Sequence, residues 1–106
     1  MKIFNMYIYN TTFCLEDSAL DDWKSWLDEQ YIPMMTADGS FTDVRIFRVL
    51  AENAGDSFSI SVQFSVEALV NVQRWQKEKE QQMALDITRR FGTKVLYFST
   101  VLEVLV

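Results

Sequence analysis

Histidine is absent from this chain of 106 residues, and cysteine and proline occur only once each. Histidine is the side chain that most often acts as a general base near neutral pH, and it is a usual ligand of zinc, copper, non-haem iron and haem. Its absence excludes Ser-His-Asp and Cys-His catalytic sites and the metal centres that depend on imidazole. The single cysteine, Cys14, excludes an intrachain disulfide and a cysteine-rich metal site. We therefore expect no metal and no cofactor.

Concentrated positive charge is also missing. The chain has 10 basic and 15 acidic residues, and its formal net charge is −5. Nucleic acids and anionic membranes both attract a dense basic surface. No apolar run approaches the length that spans a bilayer, and the first residues lack a signal-peptide core. We expect a cytoplasmic protein that binds neither nucleic acid nor membrane.

What the sequence does contain is an unbroken alternation of apolar and polar residues over Ser57–Val66. This period of two is typical of a β-strand with two different faces. The apolar residues predict contact with a dry core, and the serines and Gln63 predict a covered but hydrated face. Four such polar side chains, buried without partners, would each cost about 1–3 kcal/mol, and together this is comparable to the whole stability of a domain, about 5–15 kcal/mol. They must therefore be hydrated or hydrogen-bonded.

Three other segments are rich in β-branched and aromatic residues, and they predict strands over residues 2–13, 41–51 and 94–106. Turn-forming residues at 53–56 lie between the second and third strands. These two strands should therefore form a hairpin.

Two segments with apolar residues three and four positions apart predict helices. The first starts at a capping box formed by Ser18 and Asp21, and Pro33 should kink or end it. The second runs from residue 67 to about residue 90, where Gly92 should stop it.

The predicted order of elements is strand, helix, strand, twice over, which is typical of the ferredoxin-like α+β fold with a four-stranded antiparallel sheet. Right-handed crossovers place both helices on one face of the sheet and give the strand order 4-1-3-2. We expect one domain, residues 1–106. The chain leaves the other face uncovered, and the long apolar last strand forms an edge that favours pairing. We therefore expect a homodimer in which two sheets enclose a hydrated cavity.

Candidate ligand-binding residues come from the open face of the sheet and from the first helix. Trp23, Trp26 and Trp75 are more often core anchors than ligand contacts, and Trp26 is the best placed to be an exception. Arg45 and Arg48 should point to opposite faces, and a surface ion pair is the alternative role for either. Tyr31 either closes the apolar stripe of its helix or borders the cavity. The candidates are Asn5, Tyr7, Tyr9, Trp26, Tyr31, Arg45, Phe47, Ser59, Ser61, Gln63, Tyr97 and Ser99.

Six short segments spread over nearly the whole chain are distinctive in their spacing. They are Trp23-Lys24-Ser25-Trp26, Tyr31-Ile32-Pro33, Gly39-Ser40-Phe41, Arg48-Val49-Leu50, Arg90-Phe91-Gly92-Thr93-Lys94-Val95 and Thr100-Val101-Leu102-Glu103-Val104. Together they resemble an uncharacterised family of small bacterial proteins in the dimeric α+β barrel group. The resemblance implies that dimeric fold and supplies no activity. Members of the family tend to carry a histidine before Ile-Pro, where this chain has Tyr31.

Two functional hypotheses stay open. The first is a non-catalytic homodimer that binds a small, partly aromatic molecule in the inter-sheet cavity or only stabilises itself there. The second follows from the resemblance, because the wider group includes cofactor-independent monooxygenases and isomerases. Such an enzyme would use Asn5, Tyr7, Arg45 or Trp26 to orient an enol or a phenol. The first is favoured, because no paired general acid and base and no activated nucleophile can be read from the sequence.

Overall fold

The chain folds into four strands and two irregular helical segments, in the order strand, helical segment, strand, strand, helical segment, strand. The computed structural model describes the backbone of residues 3–50, 55 and 57–105 and the side chains of residues 6–50, 55 and 57–105. The strands are β1 (Ile3–Glu16), β2 (Thr42–Arg48), β3 (Ser57–Val66) and β4 (Val95–Leu105). The helices are α1 (Leu20–Trp26), α2 (Ile32–Thr36), α3 (Leu69–Glu78) and α4 (Glu80–Phe91). Short 3-10 turns at Asp17–Ala19 and Gly92–Lys94 precede α1 and follow α4, and a π-turn at Leu27–Tyr31 joins α1 to α2.

The strands form one antiparallel sheet in the order β2-β3-β1-β4. This is the predicted order, and it confirms the ferredoxin-like α+β fold. The long central strand β1 pairs with β3 on one side and with β4 on the other, so that Thr11 lies between Val62 and Ser99. The helical segments cover one face of the sheet. On this face lies the core.

The core confirms the predicted alternation of β3. Val62, Phe64 and Val66 are fully buried, and Phe58 and Ile60 are partly buried against the core. The three tryptophans, Trp23, Trp26 and Trp75, are also buried, as their helical spacing predicted.

The first helical segment departs from prediction at both ends. No side chain caps α1 with a hydrogen bond, because the 3-10 turn leads the backbone into the helix, so the capping box of Ser18 and Asp21 is wrong. Of the two alternatives predicted for Pro33, an end of the helix is wrong, because the segment continues to Thr36, but a helical irregularity does lie beside it, the π-turn at Leu27–Tyr31. Pro33 itself occupies the first turn of α2, where proline's missing N–H costs little. This widened turn shapes the groove described below.

The second helical segment was predicted as one helix and is divided at Lys79, whose φ of −129° leaves the helical region. The Lys79 N–H still donates to the Trp75 carbonyl at 2.9 Å, so α3 and α4 stay joined. Gly92 ends α4 with a φ of +60°, as predicted. The predicted turn at 53–56 lies almost wholly outside the described residues.

No helix in the described part of the chain is both long enough and apolar enough to cross a membrane.

Candidate functional site

The structure corrects the predicted faces of β1. Tyr7 and Tyr9 were expected on the open face, but they lie on the helix-covered face. The ring of Tyr9 is fully buried, with ring centroids 5.7 Å from both Phe41 and Trp75, and Tyr7 packs against the same core. The reason is parity, because β1 extends to Glu16 and its odd positions include the core residue Phe13.

The same correction applies to two residues of β4. Tyr97 and Ser99 were expected on the open face, but Tyr97 lies opposite Phe13 with ring centroids 5.9 Å apart. The hydroxyl oxygens of Ser99 and Thr11 are 2.9 Å apart. Both β4 residues therefore face the helices. The side chain of Asn5 lies outside the described residues.

The open face carries the other strand candidates as predicted. Arg45 pairs with Gln63 and Phe47 pairs with Ser61 across β2 and β3, and Ser59 has the same parity as Ser61 and Gln63. Arg48 takes the opposite face, and its guanidinium lies 4.7 Å from the centre of the Phe58 ring.

Sequence reasoning missed the partners that β1 gives to the serines of β3. Asn10 lies opposite Gln63 and Thr12 lies opposite Ser61. The amide of Gln63 donates to Ser61 at 3.3 Å, Ser61 donates to the Asn10 carbonyl oxygen, and the Asn10 amide donates to Thr12 at 3.3 Å. We call these four residues the polar stripe. The signal that could have found it was the pair of polar residues at successive even positions of β1, Asn10 and Thr12.

Apolar side chains flank the polar stripe on the open face. On β4, Leu96, Phe98 and Leu102 pair with the even positions of β1. Together with Phe47 on β2, they are 45 to 62% exposed. An apolar surface that brackets a satisfied polar centre is typical of an interaction surface.

The helix-covered side holds a different feature, a groove of about 230 Å³ between the π-turn with α2 on one side and α4 on the other. We call it the side groove. Tryptophan, tyrosine and methionine side chains supply its apolar surface, and two amides and one carboxylate supply its polar groups. Its lining residues are Trp26, Gln30, Tyr31, Met34, Gln82, Met83 and Asp86.

Two aromatic rings form the buried wall of the side groove. Trp26 and Tyr31 stack with centroids 5.2 Å apart and ring planes 26° apart. The Trp26 indole N–H donates to an oxygen of Asp86 on α4 at 3.1 Å, and this bond fixes the indole against the groove. The π-turn brings the two rings together, because Trp26 ends α1 and Tyr31 ends the turn.

Four hydroxyl groups lie behind this wall: those of Tyr9, Thr11 and Ser99 on the sheet, and that of Tyr31 at the end of the π-turn. We call these four residues the hydroxyl cluster. Burial raises the pKa of Tyr31 far above its usual value, while the nearby Thr11 hydroxyl lowers it. Thr11 is close enough to have this effect, yet among the described atoms none meets hydrogen-bond geometry with the hydroxyl of Tyr31 or of Tyr9.

A negative charge reinforces the effect of burial on three tyrosines. Burial raises the pKa of Tyr9 and of Tyr97, and the carboxylate of Glu80 raises both further, as it does for Tyr31. These phenols therefore stay protonated at neutral pH.

Of the residues that line the side groove, the sequence identified Trp26 and Tyr31 and missed Asp86. Its position beside Ile87 and one turn after Met83, at the edge of an apolar stripe, was the available signal. Within the described ranges, no group of three His, Cys, Asp or Glu side chains is placed to hold a metal ion.

Comparison with solved structures finds the same fold at low sequence identity. A dimeric ferredoxin-like protein from an uncultured marine organism is 12% identical, with 95% of this chain and 96% of that chain covered and a TM-score of 0.64. A dimeric protein of unknown function and ferredoxin-like fold from Bacteroides fragilis is 17% identical, with 97% and 100% covered and a TM-score of 0.61. A Bacillus cereus protein named as a proposed antibiotic biosynthesis monooxygenase is 15% identical, with 93% and 92% covered and a TM-score of 0.57. At these identities the likeness shows the fold alone.

Sequence comparison with curated proteins finds no match. One family profile, in contrast, matches residues 6–105, nearly the whole chain, in agreement with the resemblance seen in the short segments. The chain belongs to the family described as Domain of unknown function (DUF4286).

Proposed function

We propose that this protein is a homodimer that joins through its open face and binds a small, partly aromatic molecule in the side groove of each subunit without changing it chemically. The stacked pair of Trp26 and Tyr31 carries this proposal, because the two rings form the apolar inner wall of the groove and Asp86 holds the indole in place. Sites for small molecules are concave and mostly apolar, with a few polar groups that fix orientation. The side groove fits that description.

The polar stripe is a weaker candidate for the ligand site than the side groove. A ligand between two sheets was expected because the serines of β3 needed partners. Gln63, Ser61, Asn10 and Thr12 instead satisfy one another along the stripe. The stripe can be covered by a second sheet without any further molecule, so the inter-sheet ligand stays a prediction and the side groove is preferred.

The dimer is supported by the apolar flanks of the open face. Phe47, Leu96, Phe98 and Leu102 would lose their contact with water if a second sheet packed against them. Two structures that share the fold are described as dimeric. A stable interface buries about 800 Å² on each partner, and the face of a four-stranded sheet is large enough to supply it.

Binding without catalysis is favoured by the chemistry of the groove. Among the described lining residues, Asp86 alone carries a carboxyl group, and this group already accepts a hydrogen bond from Trp26. A general base works with a positioned acid or an activated nucleophile. The described lining residues supply the carboxylate of Asp86 but neither a positioned acid nor an activated nucleophile to work with it.

A substitution that fills the side groove should weaken ligand binding. Gln82 is exposed at the rim of the groove, and Gln82→Phe would place a ring in the space that the ligand occupies. We expect the affinity for a neutral probe, 2-naphthylmethanol, to fall at least tenfold, as followed by the indole N–H resonance of Trp26 in a ¹H–¹⁵N NMR titration. The matched control is Gln81→Phe, since Gln81 is also exposed but does not line the groove. Equal affinities for the two variants would contradict the assignment.

A second candidate function is a cofactor-independent monooxygenase or isomerase that acts on an enol or a phenol. Four buried donors favour it: among the described atoms, the hydroxyls of Tyr9 and Tyr31 and the indole N–H groups of Trp23 and Trp75 have no hydrogen-bond partner. Donors of this kind can stabilise the oxygen of an enolate. The similar Bacillus cereus structure is named as a proposed monooxygenase.

The two candidates differ in turnover. With a β-diketone or a naphthol as substrate, an enzyme would accelerate oxygen uptake or deuterium exchange at the α-carbon, and Tyr31→Phe would lower that rate. The non-catalytic protein would bind the naphthyl probe and leave both rates at those of buffer. A protein-dependent rate that Tyr31→Phe removes would overturn the first proposal.

A further inference from the structure

Two carboxylates of α4 bear on the side groove and on the hydroxyl cluster next to it. Asp86 lines the groove itself, and Glu80, at the start of α4, acts on the hydroxyl cluster behind the wall. The two positively charged residues that follow on α4, Arg89 and Arg90, are exposed and do not line the groove. The described lining therefore offers a carboxylate and no cation.

Asp86 has capacity for a further donor. It accepts from the Trp26 indole through one oxygen, and an ionised carboxylate has about four lone-pair sites on its two oxygens. The residue is only partly buried, so a ligand that enters the groove can reach it. A charged donor makes the stronger hydrogen bond with a carboxylate.

The apolar lining suits the same kind of ligand. Trp26 and Tyr31 form the buried inner wall of the groove, and aromatic rings attract nearby cations electrostatically, tryptophan most strongly. Met34 and Met83 add polarizable thioethers that adapt to an irregular apolar body.

The hydroxyl cluster points to the same sign of charge. Burial is the main cause of the raised pKa of Tyr9, Tyr31 and Tyr97, and the carboxylate of Glu80 raises the pKa of each further, so Glu80 also opposes a negative charge at these phenols. An anionic ligand would meet like charge from both Asp86 and Glu80.

We infer that the side groove takes an organic cation, a small amine whose ammonium group pairs with Asp86 while its aromatic or apolar body lies along Trp26, Tyr31 and the two methionines. This inference rests on the proposed binding function and names the class of its ligand. It also separates that function from the enol or phenol chemistry, which would place a negative charge in the same site.

Three probes with the same ring system test the inference: 2-naphthylmethylammonium, the neutral 2-naphthylmethanol, and 2-naphthoate. We expect the ammonium compound to bind at least tenfold more tightly than the alcohol, and the carboxylate to bind most weakly. The indole N–H resonance of Trp26, assigned with Trp26→Phe, reports binding in a ¹H–¹⁵N NMR titration. Raising the salt concentration should weaken binding of the ammonium compound and leave the alcohol unchanged.

Asp86→Asn removes the charge but keeps an oxygen that can accept from the Trp26 indole. The variant should therefore fold and lose at least tenfold in affinity for the ammonium compound, a larger factor than it loses for the alcohol. Asp21→Asn is the matched control, since Asp21 is exposed on α1 and does not line the groove. It should change none of the affinities.

The outcomes distinguish the two levels of proposal. If the alcohol binds as tightly as the ammonium compound, or 2-naphthoate binds best, the inference is overturned and the binding function stands. If no naphthyl compound shifts the Trp26 resonance, both are overturned. Should Asp86→Asn fail to fold, the ranking of the three probes and the salt dependence on the unaltered protein decide the question.

Discussion

Phe98→Glu should convert the protein from dimer to monomer. Phe98 is 57% exposed on β4, lies opposite Thr12, and belongs to the apolar flank of the open face. In the proposed dimer its ring would be buried against the partner sheet, and a glutamate there would lose its hydration without gaining a cation. An uncompensated buried charge costs about 3–5 kcal/mol, and a two-fold symmetric interface places the substitution twice. We therefore expect the dissociation constant to rise by at least about a thousandfold, since about 1.4 kcal/mol corresponds to a factor of ten.

Sedimentation velocity at micromolar concentration measures this change. The unaltered protein should sediment as a dimer and Phe98→Glu as a folded monomer with an unchanged far-ultraviolet circular dichroism spectrum. Leu85→Glu is the control, because Leu85 is 51% exposed on α4, on the helical side of the sheet, and its variant should stay dimeric. A monomeric parent protein would overturn the proposed dimer, and a dimeric Phe98→Glu variant would overturn the open face as its interface.

The value of strand alternation in this chain depends on how differently the two faces are covered. On β3 every second residue is apolar, and the predicted core residues Val62, Phe64 and Val66 are all fully buried. On β1 the signal fails, because Thr11 at 0% and Thr12 at 8% exposure are both buried although they face opposite sides. A central strand with buried polar residues on both of its faces carries no clear period. Its register follows from pairing with β3 and β4, which the segment alone does not encode.

The candidate site depends on contacts that are still further apart in the chain. The helical spacing of Trp26 and Tyr31 predicted that both lie on the apolar stripe. Their stacking, however, depends on the π-turn, and no residue pattern in the segment predicts that turn. Asp86 lies 60 positions after Trp26, and only the packing of α4 beside α1 brings the carboxylate to the indole. The family resemblance indicated the fold, but it gave no functional site, because a fold does not determine function.

Phe13→Ala should lower the free energy of unfolding by about 3–5 kcal/mol, the usual cost of replacing a buried phenylalanine with alanine. Phe13 is fully buried at the centre of the aromatic core. Its ring lies 5.2 Å from Trp23, 5.9 Å from Trp26, 5.5 Å from Tyr31 and 5.9 Å from Tyr97, centroid to centroid. Removing it leaves a cavity under both rings of the groove wall. For a domain that is stable by about 5–15 kcal/mol, this is a large part of the total.

Urea unfolding followed by tryptophan fluorescence measures the loss. Because the stability of a dimer depends on protein concentration, the comparison is best made in the monomeric Phe98→Glu background as well as in the parent. The control Leu85→Ala removes a side chain that is 51% exposed, and it should cost less than about 0.5 kcal/mol. A loss below about 1 kcal/mol for Phe13→Ala would show that the core closes over the missing ring. Since Trp26 and Tyr31 lean on that ring, the same variant should also weaken binding of the naphthyl probes, and it therefore links the stability of the core to the shape of the side groove.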